Sequence, residues 1–475
     1  MKKLKLIFAT LLAALFTFAG GKALAYDITI NNGGSGTYES YQIFTGTVLD
    51  NSDEAALGQV QWGNGITDAG KEALQTKYSA SSAAEIAKKL GDKAVDADEF
   101  AKEAGKYLQN AGGLTGLAAG YYLVQNKTVG DHEAYTNYIL KVVKNVTVEP
   151  KTSVPSVEKK VKDTNDTTGE TNWQDSADYD INDDVPFQLT ATLPNNFATY
   201  DEYYLEFADT LSLGLTYNKD AKVFLVNGSD ETDVTSSFTI AEDGSSFKIN
   251  DLKSISGVTA SSKIVVRYTA KLNSNAVIGS KGNPNTVKLI YSNNPNYTGS
   301  GENSPTGETP EDTVIVFTYK VVVKKVKEDK ETPLEGAGFT LYKKDSSGNW
   351  NAVGNEITGV TTFTFSGLDD GDYKLSETTV PDGYNKASDV EFTVTAKHDK
   401  DSDAPKLTEL KGTGSLEFTS NTTDGSLTTN VVNKKGSVLP STGGMGTTIL
   451  YVIGSILVLV AAVLLITKKR MDAAK

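Results

Sequence analysis

The sequence predicts a mainly β protein made of tandem sandwich domains, the first of which carries a helical insertion. Runs in which polar and apolar residues alternate, such as VPFQLTATL and KIVVRYTAKL, recur with Asn, Gly and Pro between them. The pattern returns after residue 320 in GFTLYKK, TTFTFSGL and VEFTVTA. Several short strands over roughly 110 to 170 residues are typical of immunoglobulin-like sandwiches. The two ends of the chain differ in composition and are predicted to lie outside the sandwiches.

Residues 1–25 are predicted to form a secretory signal peptide. Lysines cluster in the first five residues, residues 6–18 are apolar but short for a membrane span, and an A-L-A pattern ends at Ala25. Cleavage between Ala25 and Tyr26 would place the mature chain outside the cell. An uncleaved N-terminal anchor is the alternative interpretation.

Residues 437–475 are predicted to contain a membrane-spanning segment. Residues 449–467 are nearly free of polar side chains and are about long enough to cross a bilayer core. The basic run KKR at 468–470 follows, and we expect it to stay in the cytoplasm. A plain anchor needs nothing more, yet a polar pentad precedes the span. The pentad consists of Leu439, Pro440, Ser441, Thr442 and Gly443.

The order of pentad, apolar span and basic tail resembles the sorting signal of Gram-positive LPxTG surface proteins. The resemblance implies that a sortase cysteine attacks the carbonyl of Thr442, releases Gly443 and everything after it, and holds the protein as a thioester. An acyl-enzyme of this kind needs an amine to complete the transfer. The expected location is therefore the cell wall, after a stage in which the precursor is inserted in the membrane.

Composition and charge exclude several classes of protein. The chain has no cysteine, so disulfides do not stabilise its domains. Its formal net charge is −14, and removing the two ends takes away eight basic residues and one acidic residue, which leaves −21. Nucleic acid is therefore not an expected partner. No metal site or cofactor is expected, because His132 and His398 lie far apart and the acidic run 399–403 lacks the central glycine and terminal acid of a calcium loop.

The mature chain is predicted to divide into domains at residues 26–151, 152–319 and 320–436. In the first domain, strand-like runs bracket a helical patch. The helices are expected over 68–77, from Ser82 onward and over 98–109. The segment SAAE that starts at Ser82 has the form of a capping box, in which the serine and the glutamate satisfy backbone N–H groups at the start of a helix.

The third domain contains the most specific motif. The segment YKLSETTVPDGY at 373–384 follows the strands VVVKKVK and GFTLY, and TTNVVNKK closes the domain. These segments resemble the collagen-adhesin B-type domain of Gram-positive pilins and adhesins. The resemblance implies a spontaneous isopeptide bond from a strand lysine to Asn433, with Glu377 as the helper acid. Alternation with the valines favours Lys325 as that lysine and leaves Lys324 as the alternative.

The middle domain carries a looser version of the same arrangement. PSVEKKVKD opens the domain, FADTLSLGLTY lies inside it, and GNPNTVKLIYSNNP lies near its end. These segments resemble the A-type partner domain of streptococcal backbone pilins. The resemblance implies Lys159 as the nucleophile, Asp209 as the helper acid and Asn285 as the acceptor. Alternation favours Lys159 over Lys160, while Asn294 is a second candidate acceptor.

Such a bond can form without an external enzyme. Burial favours neutral forms, so it lowers the pKa of a lysine and raises that of a carboxylic acid. The neutral amine is then a nucleophile, and the protonated acid can polarise the asparagine carboxamide and pass protons so that ammonia leaves. The fold supplies proximity, because it holds the reacting groups at a high effective concentration.

The first domain ends in VTVEPK, at 146–151. This segment resembles the pilin motif V-x-V-Y-P-K, except that Glu149 replaces the tyrosine and the family's upstream tryptophan is missing. The motif implies that Lys151 is the amine that receives Thr442 of another subunit. Each added subunit brings its own lysine and threonine, so head-to-tail joining repeats without closing.

The expected function is therefore the structural backbone subunit of a cell-surface pilus, with no catalysis beyond its own cross-linking. The expected partners are a pilin-specific sortase, a housekeeping sortase, other copies of the chain in a covalent polymer, minor pilins and peptidoglycan. The alternative is a monomeric wall-anchored adhesin that presents a binding surface to a host matrix or receptor. A ladder of high-mass species in surface extracts distinguishes the two.

Overall fold

The structure, a computed structural model, describes residues 25–48, 57–150, 153–166, 168–436 and 446–472. Most of the predicted signal peptide, Lys151 and the whole pentad, including Thr442, lie outside the described residues. The described part is mainly β, with strands arranged in several sheets. The predicted fold class is therefore confirmed.

The first domain combines a sheet with helices. Its strands are β1 (Ile28–Ile30), β2 (Tyr38–Val48), β3 (Leu57–Trp62), β4 (Gly120–Asn126), β5 (Asn137–Val142) and β6 (Val146–Val148), and its helices are α1 (Asp68–Lys77), α2 (Ala83–Gly91) and α3 (Ala97–Gly105). The larger sheet has the order β3-β2-β4-β5, and β1 pairs with β6 in parallel. The helices follow β3 as an insertion within this sheet.

Each of the three helices begins at a side chain that accepts backbone N–H groups. The N-caps are Thr67, Ser82 and Asp96. The Ser82 hydroxyl accepts the N–H of Glu85 at 3.3 Å, but the Glu85 carboxylate returns to the N–H of Ser81 at 2.5 Å, one residue earlier than in a standard capping box. The last helix ends at Gly105, before the predicted Gln109.

Alternation along the central strands of the first domain produces a core on each face of its sheet. One core packs the apolar sides of the helices, with Leu74, Ile86 and Phe100 fully buried against Phe44. The other core contains Ile28, Tyr122, Val124 and Val142. The domain contacts the middle domain through Lys102, whose Nζ lies 2.7 Å from the carboxylate of Asp201.

The middle domain is a sandwich of two sheets. Its strands are β7 (Ser156–Thr164), β8 (Thr171–Gln174), β9 (Ser176–Asp178), β10 (Asp184–Thr192), β11 (Leu205–Leu211), β12 (Leu215–Tyr217), β13 (Lys222–Asn227), β14 (Asp230–Asp233), β15 (Thr239–Ile240), β16 (Ser246–Ile249), β17 (Lys263–Leu272), β18 (Asn283–Ser292), β19 (Thr306–Glu308) and β20 (Asp312–Phe317). Short 3-10 turns lie at Phe197–Thr199, Thr235–Ser237, Leu252–Ser254 and Gly301–Asn303.

The two sheets of the middle domain enclose a core rich in aromatic residues. One sheet has the order β14-β13-β17-β10-β7-β8, with β12 also on β17, and the other has the order β15-β16-β11-β18-β20-β9, with β19 also on β18. Phe187, Phe207 and Phe247 are fully buried between them. Because side chains alternate across each strand, residues two apart share this core.

The third domain is a second, smaller sandwich. Its strands are β21 (Tyr319–Val326), β22 (Gly338–Lys344), β23 (Trp350–Ala352), β24 (Ile357–Thr358), β25 (Thr362–Leu368), β26 (Gly371–Thr379), β27 (Val390–His398), β28 (Leu407–Gly414), β29 (Thr419–Asn421) and β30 (Ser426–Val432). One sheet has the order β25-β21-β30-β29 and the other β23-β22-β26-β27-β28, with β24 also on β22. The first strand, β21, pairs in parallel with the last, β30.

A single long helix, α4 (Gly446–Asp472), follows the third domain. Its segment Ile449–Met471 is long and apolar enough to cross a membrane, and its described side chains are exposed rather than packed against the sandwiches. This agrees with the predicted membrane-spanning sorting segment.

Candidate cross-linking sites

Two lysines are completely buried, which is unusual for this side chain. Within the described residues, Lys159 and Lys325 are the lysines in the buried class, and each is 0% exposed. Each comes from the first strand of a sandwich domain, β7 or β21. No lysine in the described part of the first domain is buried in this way.

Strand alternation places Lys159 inside the middle domain. In β7, Lys159 and Val161 face the core, whereas the neighbouring Lys160 points to the other side and pairs with the carboxylate of Asp175 at 2.6 Å. The alternative acceptor Asn294 lies beyond the end of β18, where its side-chain oxygen accepts the N–H of Asn296 at 3.0 Å. Of the predicted alternatives, neither Lys160 nor Asn294 therefore lies in this core site.

Four polar side chains meet in the middle-domain site. The Lys159 Nζ donates to a carboxylate oxygen of Asp209 and, at 2.5 Å, to the side-chain oxygen of Asn285. The Tyr268 hydroxyl donates to the second Asp209 oxygen and accepts from the Asn285 Nδ2 at 2.7 Å. All four side chains are buried. The amine is thus held against the carboxamide, with a carboxyl group beside both.

Sequence reasoning did not identify Tyr268. The strand KIVVRYTAKL alternates, and this pattern places Tyr268 on the inner face with Ile264 and Val266. That signal marks the residue as buried but does not show that its hydroxyl faces Asp209.

Burial also sets the charge state of the middle-domain amine. Desolvation lowers the pKa of Lys159 to about 8, although the neighbouring Asp209 opposes the shift. The rings of Phe187 and Tyr268 lie 5.7 Å and 5.9 Å from its Nζ and form apolar walls. A larger fraction of the Lys159 amine is therefore neutral and nucleophilic at a given pH than for a lysine in water.

The third-domain site repeats the same three functional groups. The Lys325 Nζ donates to the side-chain oxygen of Asn433 and lies 3.0 Å from a carboxylate oxygen of Glu377. The Asn433 Nδ2 lies 2.8 Å and 3.0 Å from the two Glu377 oxygens. The N–H of Ala387 donates to Glu377 at 2.6 Å and fixes the carboxylate in place.

Lys325 has apolar surroundings and a lowered pKa. Burial lowers the pKa of Lys325, and Glu377 opposes the shift. The Phe339 ring lies 5.4 Å from the Nζ. The alternative Lys324 is exposed on the opposite face of β21, so it does not lie in this site.

The two sites connect their strands differently. In the middle domain, Lys159 comes from one sheet, and Asp209 and Asn285 come from neighbouring strands of the other. In the third domain, Lys325 and Asn433 lie on or just beyond neighbouring parallel strands of one sheet, and Glu377 faces them from the other sheet. A bond in the first site would join two sheets, and a bond in the second would join the first and last strands.

The tandem sandwiches contain buried lysine–acid–asparagine groups, and a membrane-length helix follows them. These features are typical of a structural surface protein. Comparison with known proteins supports this class. Residues 181–295 match the family described as Gram-positive pilin backbone subunit 2, Cna-B-like domain. Residues 319–407 match the SpaA prealbumin-like fold domain, and residues 431–472 match the LPXTG cell wall anchor motif. The A-type assignment of the middle domain stays a prediction.

The chain is also similar to individual proteins. The chain is 26% identical over 422 residues to the trypsin-resistant surface T6 protein of Streptococcus pyogenes. The match covers 74% of this chain and 75% of the relative. The solved T6 backbone pilin of serotype M6 Streptococcus pyogenes matches with a TM-score of 0.55 and 20% identity, over 87% of this chain and 98% of that one. The full-length major pilin SpaD of Corynebacterium diphtheriae matches with a TM-score of 0.46 and 16% identity, over 87% and 97% of the two chains.

The chain is a backbone pilin of the Gram-positive type with an LPXTG cell-wall anchor. It is a structural subunit of the cell surface and not an enzyme.

Proposed function

We propose that this pilin is joined to its neighbours by a sortase through an isopeptide bond from Thr442 to Lys151, and that it cross-links its own domains through Lys159–Asn285 and Lys325–Asn433. The observation that carries the proposal is that each buried lysine contacts both an asparagine carboxamide and a carboxyl group. Nothing in ordinary core packing requires that set of groups to coincide twice in one chain.

The intramolecular reaction needs only the groups in each site. A proton moves from the lysine ammonium to the carboxylate, which leaves a neutral amine and a neutral acid. The Nζ lone pair then attacks the carbonyl carbon of the asparagine side chain while the acid stabilises the developing oxyanion. The carboxyl group next transfers a proton to the departing nitrogen. The carbon–nitrogen bond of the carboxamide breaks and ammonia leaves, the extra proton on Nζ passes back to the carboxylate, and the lysine amide remains.

The second hydrogen-bond partners of the acids position them for this role. In the middle domain, Tyr268 bridges Asp209 and Asn285, so it holds the carboxyl and the carboxamide in one arrangement. In the third domain, the backbone N–H of Ala387 holds one oxygen of Glu377. Tyr268 also accepts from the Lys159 Nζ at 3.4 Å and so touches the reacting amine, whereas Ala387 acts only through Glu377 and is a positioning group.

The intermolecular reaction uses the two ends of the mature chain. A pilin-specific sortase would form the thioester at Thr442 and pass it to Lys151 of the next subunit, and a housekeeping sortase would transfer the last thioester to peptidoglycan. Minor pilins would enter by the same exchange. Lys151 directly follows Pro150, just beyond β6, at the junction of the first and middle domains. Cross-linked domains would also give this chain the trypsin resistance that the name of its streptococcal relative describes.

The mass of the mature chain tests the two internal bonds. Residues 26–442 should weigh less than their sequence by two molecules of ammonia, because each bond expels one. Asp209→Ala should restore the mass of one ammonia, and Glu377→Ala should restore the other, as measured by intact-mass spectrometry. The matched variants Lys160→Ala and Lys324→Ala should keep both losses. A wild-type mass equal to the bare sequence would contradict both bonds.

A further inference from the structure

The joint between the middle and third domains buries a group of acidic side chains. Asp163 and Asp178 come from the ends of β7 and β9, and Asp369 and Asp370 come from the turn before β26. Each is at most 4% exposed. His398, at the end of β27, has a side chain that is 4% exposed and lies with them. Sequence reasoning expected no metal site, because it could not place His398 beside acids of another domain.

Asp178 is the centre of this group. It belongs to one triad with Asp163 and His398 and to another with Asp369 and Asp370, and in each triad one ligand atom per residue lies within 4.8 Å of the others. Asp178 is 2% exposed, yet neither of its carboxylate oxygens has a well-formed hydrogen bond. The nearest ring nitrogen, His398 Nε2, is 3.4 Å away. A buried carboxylate that lacks well-formed hydrogen bonds is strongly unfavourable, so Asp178 needs a partner beyond His398.

A neighbouring acidic cluster in the same joint already has its cation. The Lys343 Nζ lies 2.7 Å from Asp166, 2.6 Å from Asp180 and 3.8 Å from Asp369. Burial acts to lower the pKa of Lys343, but these carboxylates outweigh it and raise the pKa, so the ammonium is retained. Among the described residues, Lys343 makes no ion pair with Asp178. Lys343 therefore neutralises Asp166 and Asp180 and lies 3.8 Å from Asp369, which also belongs to the triad with Asp178 and Asp370.

Tyr319 supports the same conclusion. Its hydroxyl is buried at the start of β21 and also lacks a well-formed hydrogen bond. Burial, followed by the charges of Asp178 and Asp369, raises the pKa of Tyr319. The hydroxyl is thus a neutral neighbour that supplies no positive charge to the cluster.

We propose that Asp178, Asp369 and Asp370 bind one divalent cation of the oxygen-preferring class, of which Ca²⁺ is the representative, and that this ion braces the middle domain against the third. Three atoms that all lie within 4.8 Å of one another enclose a point at most about 2.8 Å from each, close to the calcium–oxygen distance of roughly 2.3–2.6 Å. Asp163 and His398 form the other triad with Asp178, and the His398 Nε2 lies 3.4 Å from its carboxylate. Calcium suits the site better than zinc, because Asp178, Asp369 and Asp370 offer oxygen ligands alone.

Luminescence of Tb³⁺, a calcium mimic, tests the site in the mature chain, residues 26–442. Tb³⁺ should bind at one saturable site near neutral pH, be excited through the adjacent Tyr319, and be displaced by Ca²⁺. Asp178→Asn should weaken binding by about tenfold or more, because ligand charge sets calcium affinity. Asp403→Asn removes the same charge from the exposed loop beside the joint and should leave binding unchanged.

Thermal melting gives an independent measurement, because the difference in melting temperature between Asp178→Asn and the wild type should depend on whether calcium is present. In a chelator, Asp178→Asn should melt at or above the wild type, since the change removes a buried charge whose oxygens have no well-formed hydrogen bond. In millimolar Ca²⁺ the wild type should gain stability and the variant should not. The proposal is overturned if millimolar Ca²⁺ neither binds saturably nor raises the melting temperature of the wild type, or if Asp178→Asn responds as the wild type does.

Protons are the rival occupant of the cluster. Burial and then Asp178 raise the pKa of Asp163 to about 6, and burial raises that of Asp369 well above its usual range, while Asp370, His398 and Lys343 complete the facing groups. A carboxyl group with a raised folded-state pKa stabilises the fold fully below its unfolded-state pKa of about 4, and this stability is lost as pH rises through the folded-state pKa. A joint that becomes more stable as pH falls from about 6 toward 4, with no response to Ca²⁺, would favour proton sharing and overturn the cation site.

Discussion

Lys151→Ala is expected to abolish the ladder of high-mass species in surface extracts boiled in detergent. The change removes the proposed amine acceptor but leaves the LPSTG pentad intact, so the housekeeping reaction with the cell wall should continue. Monomers should therefore still reach the surface. Lys151→Arg should fail equally, because a guanidinium stays protonated and is a poor nucleophile toward the thioester. Immunoblotting of wall extracts measures both the ladder and the monomer.

Two further variants make this experiment specific. Lys144→Ala changes an exposed lysine just before β6 and should leave the ladder intact. Thr442→Ala should reduce both polymerisation and wall attachment, because it alters the acyl donor. A full ladder in the Lys151→Ala strain would show that another lysine accepts the thioester, and Lys144 and Lys141 would be examined next.

Lys325→Ala is expected to destabilise the third domain by about 4 to 5 kcal/mol, the loop-entropy value for a tie that closes roughly a hundred residues. Lys325 and Asn433 are 108 positions apart, so the tie spans nearly the whole domain. The variant also removes the buried side chain that Glu377 contacts, which adds to the loss. Denaturant titration followed by hydrogen exchange of peptides from β30 isolates this domain from the others.

The neighbouring residue supplies the matched control. Lys324 lies on the same strand but is exposed, so Lys324→Ala should leave both the loss of ammonia and the hydrogen exchange of the third domain unchanged. If Lys325→Ala loses one ammonia fewer than the wild type, relative to its own sequence, while the exchange rates of β30 stay at the wild-type value, the bond forms but does not stabilise the domain.

The sequence was most informative where the position of a side chain depended on a single strand. Side chains of a strand alternate between faces, so adjacent lysines cannot both face the core. That rule favoured Lys159 over Lys160 and Lys325 over Lys324, and the structure places Lys159 and Lys325 in the cores. Their roles as cross-linking residues stay predictions until the masses are measured.

Features that depend on contacts between distant strands were not predictable in the same way. The hydroxyl of Tyr268 reaches Asp209 across the sandwich, and no local pattern encodes that distance. Likewise, His398 meets Asp178 only because two domains pack together. The last helix of the first domain stopped at Gly105 rather than at Gln109, since helix ends depend on terminal capping and packing more than on periodicity.

The positions of the two proposed cross-links determine how tension would pass along a fibre. Tension applied between Lys151 and Thr442 does not act on the first domain, because its residues precede Lys151. Contacts such as that of Lys102 with Asp201 would hold this domain against the middle domain. The tie from Lys159 to Asn285 shields residues 160–284, and the tie from Lys325 to Asn433 shields residues 326–432.

The unshielded segment between the ties runs from residue 286 to residue 324 and includes β19, β20 and most of β21. Fully drawn out, this segment would span at most about 130 Å at roughly 3.4 Å per residue. Each subunit would therefore contain a short extensible element between two inextensible ones, and a pilus under strain would lengthen first at the end of its middle domains.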